Sequence, residues 1–342
     1  MKTKHVFILF CLGYTVLLSG CAVMPPLRNY PSVKITTGSG PEDLVLDTSA
    51  GYPRLLVSCN ARRSNQPCLG EIFEVNLQNE KSFPLIRTGD PDSLTFNPHG
   101  ISITKNKEGV FLYVISHNDA KKKHFIVKYK VLPGELKFTA IFTHPLLVSP
   151  NALTANPDGS FWVSNDAGKR GSKMEILFKL RKSKVIFSDG KGSWTIAADR
   201  LSFGNGIVTK GDTAYVATTR QNKLFSYTIQ ADGKLANRKT IAKITGQDNL
   251  RFYGNSLLVA AHPKPMAFVR HVKDPRKKSP SVIYRISLAD FKKEVIYSDN
   301  GSFISAGSTG LIVNGYLYIA QVFEPFILKV RLPSDKGSEW LK

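Results

Sequence analysis

The sequence lacks the short motifs that mark several common enzyme classes. It contains no GxSxG nucleophile elbow, no Walker phosphate loop, no glycine-rich dinucleotide fingerprint and no HExxH zinc motif. A serine hydrolase, an NTPase and a zinc protease therefore have no support in this chain.

Long amphipathic helices and interdomain linkers are also missing. No helical pattern longer than about ten residues is visible, and no proline-, glycine- and serine-rich or low-complexity segment interrupts residues 40–335. Short apolar strands bounded by Asp-Gly and Asn-Gly turns fill the 342 residues instead. The pattern predicts an all-β fold with a single domain.

Acidic residues are scarce, since 26 Asp and Glu stand against 47 Lys and Arg, which gives a net charge of +21. The densest basic runs are Lys121–Lys123, Lys179–Lys184 and Arg276–Lys278. The excess predicts weak attraction to a negatively charged membrane surface, although each run alone is typical of solvated loops. No helix-turn-helix, RRM or zinc-finger pattern is present, so nucleic acid is not an expected partner.

The N-terminus carries signs of export and anchoring. Lys2 and Lys4 precede an apolar stretch, Val6–Leu18, that is too short to span a bilayer comfortably. The stretch ends in Leu-Ser-Gly-Cys21, which resembles a bacterial lipobox; the alternative is an ordinary signal peptide with a chance cysteine. We expect a lipoprotein signal peptide over residues 1–20, a lipidated N-terminus and tether over residues 21–35, and a cell-envelope location on the periplasmic side or outer membrane.

Only four cysteines are present. Cys11 leaves with the signal peptide, and Cys21 carries the lipid. Cys59 and Cys68 flank a short polar segment, and in an oxidising compartment we expect them to form a disulfide bond worth about 2–3 kcal/mol. A two-cysteine zinc site is the weaker alternative, because no histidine or second cysteine pair lies near them in the sequence.

A unit that repeats every 44–59 residues or so organises the chain, which is the range of a propeller blade. Each unit begins with a polar residue and continues with a small or apolar pair, a Gly/Asp/Asn turn and an aromatic-rich strand. The six opening residues are Glu42, His99, Asn151, Asn205, Asn249 and Ser308. Six units predict a six-bladed β-propeller over residues 36–336, closed by pairing of Ser32–Thr36 with the last blade. Its inner strands would present the opening residues to one central channel.

These segments also carry a family resemblance. Thr95–Ser102 (TFNPHGIS), His117–Lys121 (HNDAK), Phe203–Ile207 (FGNGI), Asp248-Asn249, His262-Pro263, Asp299–Gly301 and Gly307–Thr309 occur in an order that resembles the calcium-dependent paraoxonase/arylesterase family. Single pieces are weak signals, but the ordered set is specific. The resemblance covers about residues 40–335.

The resemblance implies a catalytic calcium ion and a pair of histidines. The implied calcium ligands are Glu42, Asn151, Asn205, Asp248 and Asn249. Oxygen ligands of this kind are what Ca²⁺ prefers, although Asn and Asp at strand starts could instead cap turns. His99 would act as general base with His117 in support, or His99 could be a structural residue of its turn. His262 is expected to line the channel mouth; His124 and His144 carry no functional signal.

Two departures from the family pattern are visible. Asp43 and the Ile101 carbonyl match a second, structural calcium site, but Ala152 stands where the family places an aspartate. The apolar lid helices that follow the third blade in the family are absent from the pattern, because residues 167–199 are basic and strand-like. We therefore expect an incomplete second site and an open pocket.

The expected activity is calcium-dependent hydrolysis of lactones or aryl esters. The first alternative is a sugar-lactone hydrolase that resembles gluconolactonase. The second is a propeller without enzymatic activity that serves as a calcium-stabilised binding scaffold at the cell envelope, which the fold alone does not exclude.

Overall fold

Six small sheets build the fold, in a computed structural model that describes residues 24–28, 30–63 and 70–333. The sheets are arranged as the blades of a six-bladed β-propeller, which confirms the predicted fold class. The first strand along the chain is β1 (Ser32–Thr36). The first blade contains β2 (Pro41–Asp47), β3 (Arg54–Cys59), β4 (Glu71–Asn76) and β5 (Ser82–Pro84).

Blades two to four follow in chain order. The second blade contains β6 (Ile86–Thr88), β7 (Pro98–Asn106), β8 (Gly109–Asn118), β9 (Lys123–Leu132) and β10 (Glu135–Phe142). The third contains β11 (Pro150–Ala155), β12 (Phe161–Asn165), β13 (Ser183–Ser188) and β14 (Trp194–Leu201). The fourth contains β15 (Gly204–Lys210), β16 (Thr213–Thr218), β17 (Lys223–Ile229) and β18 (Leu235–Lys243).

The last two blades complete the ring. The fifth contains β19 (Gln247–Tyr253), β20 (Ser256–Ala261), β21 (Ser281–Ser287) and β22 (Lys293–Asp299). The sixth contains β23 (Gly307–Val313), β24 (Tyr316–Gln321), β25 (Phe326–Arg331) and, at its outer edge, β1. The inner strands, which line the channel, are β2, β7, β11, β15, β19 and β23.

The ring is closed by the pairing predicted from the sequence. β1 runs antiparallel to β25, with Ser32 opposite Val330 and Thr36 opposite Phe326. The backbone of Arg28 already bridges to Ser298. The propeller therefore begins before residue 36, because these backbone hydrogen bonds order residues that the sequence interpretation gave to the tether.

The core lies between the faces of neighbouring blades. On β3, Leu56 packs towards the second blade, whereas Leu55 and Val57 pack towards the sixth. All six residues of β3 are buried. Because both faces of a middle strand are covered, such strands are continuous apolar runs, without the alternation of a half-exposed strand.

Two short helices interrupt the strand pattern. α1 (Lys173–Leu177) lies between β12 and β13, and α2 (Pro265–Lys273) lies between β20 and β21. The expectation that residues 167–199 are strand-like was wrong for α1. Ser172 caps the N-terminus of this helix, because its side chain accepts a hydrogen bond from the Glu175 N–H at 3.3 Å. Within the described residues, no helix has the length and apolar character needed to cross a bilayer.

The predicted disulfide bond and lipid anchor involve residues outside the described part of the chain. Cys59 ends β3 with a fully buried thiol, and burial raises its pKa to about 12. Cys68 and Cys21 both lie outside the described residues. The Cys59–Cys68 bond and the lipidation of Cys21 therefore stay predictions.

Candidate functional site

The opening residues of the repeats lie at the starts of the six inner strands. Each inner strand places its second residue at the channel, and β19 contributes its third residue as well. These residues are Glu42, His99, Asn151, Asn205, Asp248, Asn249 and Ser308. Contacts join them across blades: Asn249 Nδ2 donates to Glu42 Oε1 at 2.9 Å, and Ser308 Oγ donates to the Glu42 carbonyl at 2.5 Å.

A break in strand register occurs at this position in every inner strand. The breaks fall between Pro41 and Asp43, Pro98 and Ile101, Pro150 and Ala152, Gly204 and Ile207, Gln247 and Leu250, and Gly307 and Thr309. Irregularities of this kind re-aim side chains that a regular strand would send to opposite faces. This explains how consecutive polar residues such as Glu42 and Asp43 are both buried near the axis.

Glycines allow the inner strands to approach one another here. A Cβ atom on Gly100 would lie 2.4 Å from the Asn151 carbonyl oxygen, and one on Gly206 would lie 2.8 Å from the Asp248 carbonyl oxygen. Both distances are too short for any larger residue without movement of the backbone. The glycines after His99 and Asn205 are therefore part of how the site is packed.

Four oxygens from four blades are buried at this point without any hydrogen-bond partner. They are Glu42 Oε2, Asn151 Oδ1, Asn205 Oδ1 and Asn249 Oδ1. The amide nitrogens are engaged elsewhere: Asn205 Nδ2 donates to Thr219 Oγ1 at 3.1 Å, and Asn151 Nδ2 lies 3.5 Å from Asp166 Oδ2. Buried oxygens without a partner are costly, which suits a hard cation as their missing partner.

Two carboxylates accompany the amides. His262 Nε2 lies 2.8 Å from Asp248 Oδ2; burial raises the pKa of Asp248, and the histidine opposes this rise. Burial also disfavours the charge of Glu42, but the protonated form of His99 and the Arg62 guanidinium outweigh it and lower its pKa to about 2. Among the described residues, no group of three or more His, Cys, Asp or Glu side chains is placed to hold a metal ion. The oxygen-bearing side chains that were predicted as ligands, at the starts of these inner strands, are two carboxylates and three amides.

The two predicted histidines belong to a chain of three. His99 Nδ1 lies 2.9 Å from His117 Nε2, and His117 Nδ1 lies 3.0 Å from His124 Nδ1. The other ring nitrogen of His99, Nε2, is 3.5 Å from Glu42 Oε2. Glu42 Oε2 and the three amide oxygens without a hydrogen-bond partner are called the cluster of free oxygens. Burial holds the pKa of His117 well below its usual range and lowers that of His124 to about 4. The two inner rings are therefore neutral near pH 7.

One tautomer pattern leaves His99 able to accept a proton at the channel. In it, His99 donates from Nδ1 to His117 Nε2, and His117 donates from Nδ1 to His124 Nδ1. Each ring is then a neutral imidazole with one N–H, and the lone pair of His99 Nε2 faces the cluster of free oxygens. This arrangement is what a general base at that position requires.

The remaining predicted residues lie close by in other roles. His262 is buried and contacts Asp248, so it supports a site residue directly and does not simply line the mouth. Asp43 and Ile101 lie together, with the Ile101 N–H donating to Asp43 Oδ2 at 2.9 Å. Ala152, whose Cα packs against Gly100, is buried and offers no side-chain oxygen.

Sequence reasoning missed His124 and Arg62. His124 pairs with His117 across the β8–β9 hairpin, so the hairpin register was the signal that could have found it. Arg62 Nη2 lies 3.8 Å from Glu42 Oε2. It follows β3 in an irregular segment whose course no sequence pattern specified.

A family model described as arylesterase matches residues 13–327 of this sequence. The chain belongs to the arylesterase family. Its channel residues therefore lie within the matched region, together with all three histidines of the chain His99–His117–His124.

Curated members of the family show moderate identity over most of their length. Human serum paraoxonase/lactonase 3 is 28% identical over 267 residues, which cover 74% of this chain and 75% of the relative. Rat serum paraoxonase/arylesterase 1 is 29% identical over 241 residues, which cover 68% of each.

Solved structures with the same architecture are more distant. A luciferin-regenerating enzyme superposes with a TM-score of 0.61 at 10% identity and covers 90% of this chain and 96% of its own. A gluconolactonase from Xanthomonas campestris gives a TM-score of 0.53 at 16% identity, with 89% and 88% covered. At this identity the likeness concerns the fold alone.

Proposed function

We propose that this arylesterase-family protein is a calcium-dependent hydrolase of lactones or aryl esters. The observation that carries the proposal is the set of four buried oxygens from four blades that have no hydrogen-bond partner, with His99 Nε2 at 3.5 Å from one of them, Glu42 Oε2. Family membership supports the reaction class, because the curated relatives are named lactonase and arylesterase. The donor set supports calcium, since amide and carboxylate oxygens are its preferred ligands.

The proposed metal ligands are Glu42, Asn151, Asn205, Asp248 and Asn249. A calcium ion held by these residues would supply positive charge to polarise a substrate carbonyl and stabilise the developing oxyanion. His262 holds the carboxylate of Asp248 in place through a contact with Oδ2. Asn249 holds the carboxylate of Glu42 by donating a hydrogen bond from Nδ2 to Glu42 Oε1. The ligands are thus oriented by the protein before any ion binds.

The chain's own contribution to the chemistry is proton transfer. His99 Nε2 takes a proton from water while the water oxygen adds to the carbonyl carbon. The C–O bond to the leaving group then breaks, and the proton held by His99 passes to the departing oxygen. His117 accepts a hydrogen bond from His99 Nδ1 and so keeps the lone pair at Nε2.

A substrate panel tests the proposal. Lactones of several ring sizes and aryl esters would be assayed with purified protein in calcium and after treatment with a chelator. The proposal predicts hydrolysis of at least one class, lost in chelator and restored by calcium. Activity that is equal in chelator would contradict calcium dependence, and no turnover on any substrate would favour the non-enzymatic scaffold.

His124 is expected to act as a positioning residue for the histidine pair. In His124→Val, His117 loses the partner of its Nδ1, and the tautomer that serves His99 is no longer favoured. We expect turnover to fall about tenfold, the usual order for a lost hydrogen bond, with KM unchanged. His144→Val is the matched control, because His144 lines the same cavity of about 1050 Å³ as His124 but stacks on Trp194. Wild-type turnover in His124→Val, at unchanged thermal stability, would count against this role.

The envelope location is proposed on the sequence alone. Cys21→Ala should release the folded protein from the membrane fraction, because the first strand of the propeller begins at Ser32, well after the expected lipidation site. Fractionation at low and high salt separates two causes: release only at high salt would mean that the basic surface holds the protein to anionic lipid. A variant that remains membrane-bound at high salt would rule out the lipid anchor at Cys21.

A further inference from the structure

A largely buried arginine contacts the inner strands of two other blades close to the proposed calcium ligands. Arg251 lies on β19 of the fifth blade, and its side chain is 12% exposed. Its guanidinium donates from Nε to the Leu44 carbonyl at 2.8 Å and from Nη1 to the Leu250 carbonyl at 2.8 Å. Nη2 donates to Asp43 Oδ1 and lies 3.4 Å from the Ile101 carbonyl oxygen. One cationic group therefore joins the first, second and fifth blades.

Most of the acceptor capacity of the Asp43 carboxylate is already used by hydrogen bonds within the protein. Its Oδ1 accepts hydrogen bonds from the Leu44 N–H at 2.9 Å and from Thr309 Oγ1 at 3.0 Å, in addition to Arg251. Its Oδ2 accepts from the Ile101 N–H at 2.9 Å. This contrasts with Glu42 Oε2 and the amide oxygens of the three asparagines of the proposed calcium site, which have no hydrogen-bond partner.

The chemistry of this second position is also wrong for calcium. Calcium takes six to eight oxygens, but Ala152 supplies none from its side chain, and the Ile101 carbonyl faces a guanidinium. A divalent ion placed beside Arg251 would be repelled at short range in a poorly hydrated interior. The residues present do not fit the structural calcium that the family resemblance implies for Asp43 and Ile101.

We propose that the guanidinium of Arg251 takes the place of a metal ion at this second position. The channel then binds one divalent ion, and the blades pack around it without a structural ion. A guanidinium is planar and carries five N–H donors, so it can donate to a carboxylate and to several carbonyl oxygens at the same time. Because it is always charged, it holds these groups without a bound ion. The inference does not rest on the proposed hydrolase activity. It predicts that the fold tolerates chelators and depends instead on Arg251.

Thermal unfolding in chelator tests the role of the arginine directly. Arg251→Met leaves Asp43 as a buried charge without its counter-ion, and we expect the Tm to fall by about 5–10 °C. Arg276→Met is the control, because it removes an arginine from an exposed pair with Asp274 and should change the Tm by about one degree or less. An Arg251→Met protein as stable as wild type in chelator would overturn the proposal.

The number of calcium ions bound per chain tests the role of Arg251 independently. This test remains informative even if Arg251→Met does not fold. The double variant Arg251→Met/Ala152→Asp removes the fixed cation and adds a carboxylate. It should bind one calcium more per chain than wild type and acquire a Tm that rises with calcium. Wild-type protein that binds two calcium ions per chain would overturn the proposal. Wild-type protein that binds none would defeat the proposed catalytic calcium, while the Tm of Arg251→Met in chelator would still decide the role of Arg251.

Discussion

Replacement of Asp248 with asparagine is expected to abolish calcium binding and hydrolysis together. The change preserves side-chain volume and a hydrogen-bonding group for His262, which lies 2.8 Å away, but it removes one of the two carboxylates among the proposed ligands. The charge of a divalent ion would then be poorly offset. We expect turnover to fall by at least about 10³-fold, the order seen when a main electrostatic stabiliser of a transition state is lost.

The measurement is calcium affinity and turnover in the same preparation. Asp232→Asn is the control, because it makes the same charge change at an exposed position that pairs with Lys234, and it should leave both quantities unchanged. If Asp248→Asn retained calcium and activity, the channel would not be the active site. If it lost calcium but retained activity, the ion would be structural only.

The second large effect is expected at His99, and it should separate proton transfer from metal binding. His99→Gln keeps a hydrogen-bonding side chain towards His117 but offers no imidazole lone pair at the channel. We expect turnover to fall by about 10²–10⁴-fold, the usual contribution of a general base. Calcium affinity and thermal stability should stay at wild-type values, because His99 lies beside the ligand Glu42 and is not itself a ligand.

Turnover, calcium affinity and Tm would be compared with those of His144→Gln. His144 is a half-buried histidine that stacks on Trp194 with ring centroids 5.1 Å apart, and its replacement should not affect turnover. Wild-type turnover in His99→Gln on every substrate would show that the histidine is structural and that another group accepts the proton. Loss of calcium in the same variant would mean that His99 contributes to binding.

Much of the fold and the position of the site could be predicted from the sequence, because both depend on local repeats. The polar residue at the start of each repeat marks the second residue of an inner strand, or the third in the case of Asn249, and the ring of six blades brings these positions together. The pairing of Ser32–Thr36 with the last strand was also predictable, since a strand at the N-terminus of a propeller has the open sheet edge of the last blade to join.

What could not be predicted depends on contacts between distant segments. Arg251 is an ordinary basic residue in the sequence, and only the approach of the first, second and fifth blades places it against Asp43. His124 contacts His117 only because the register of the β8–β9 hairpin places the two residues opposite each other. The direction in which each asparagine oxygen points is set by the group that accepts a hydrogen bond from the amide nitrogen. For Asn205, this acceptor is Thr219 Oγ1.

The central claim is that one calcium ion, held by the unpartnered oxygens of the channel, is required for hydrolysis. Its most direct test is a calcium titration of metal-free protein, with binding measured by calorimetry and hydrolysis measured on the same samples. The account predicts that activity rises in proportion to occupancy and is complete at one calcium per chain. Full activity in metal-free protein, or calcium binding without any change in activity, would contradict it.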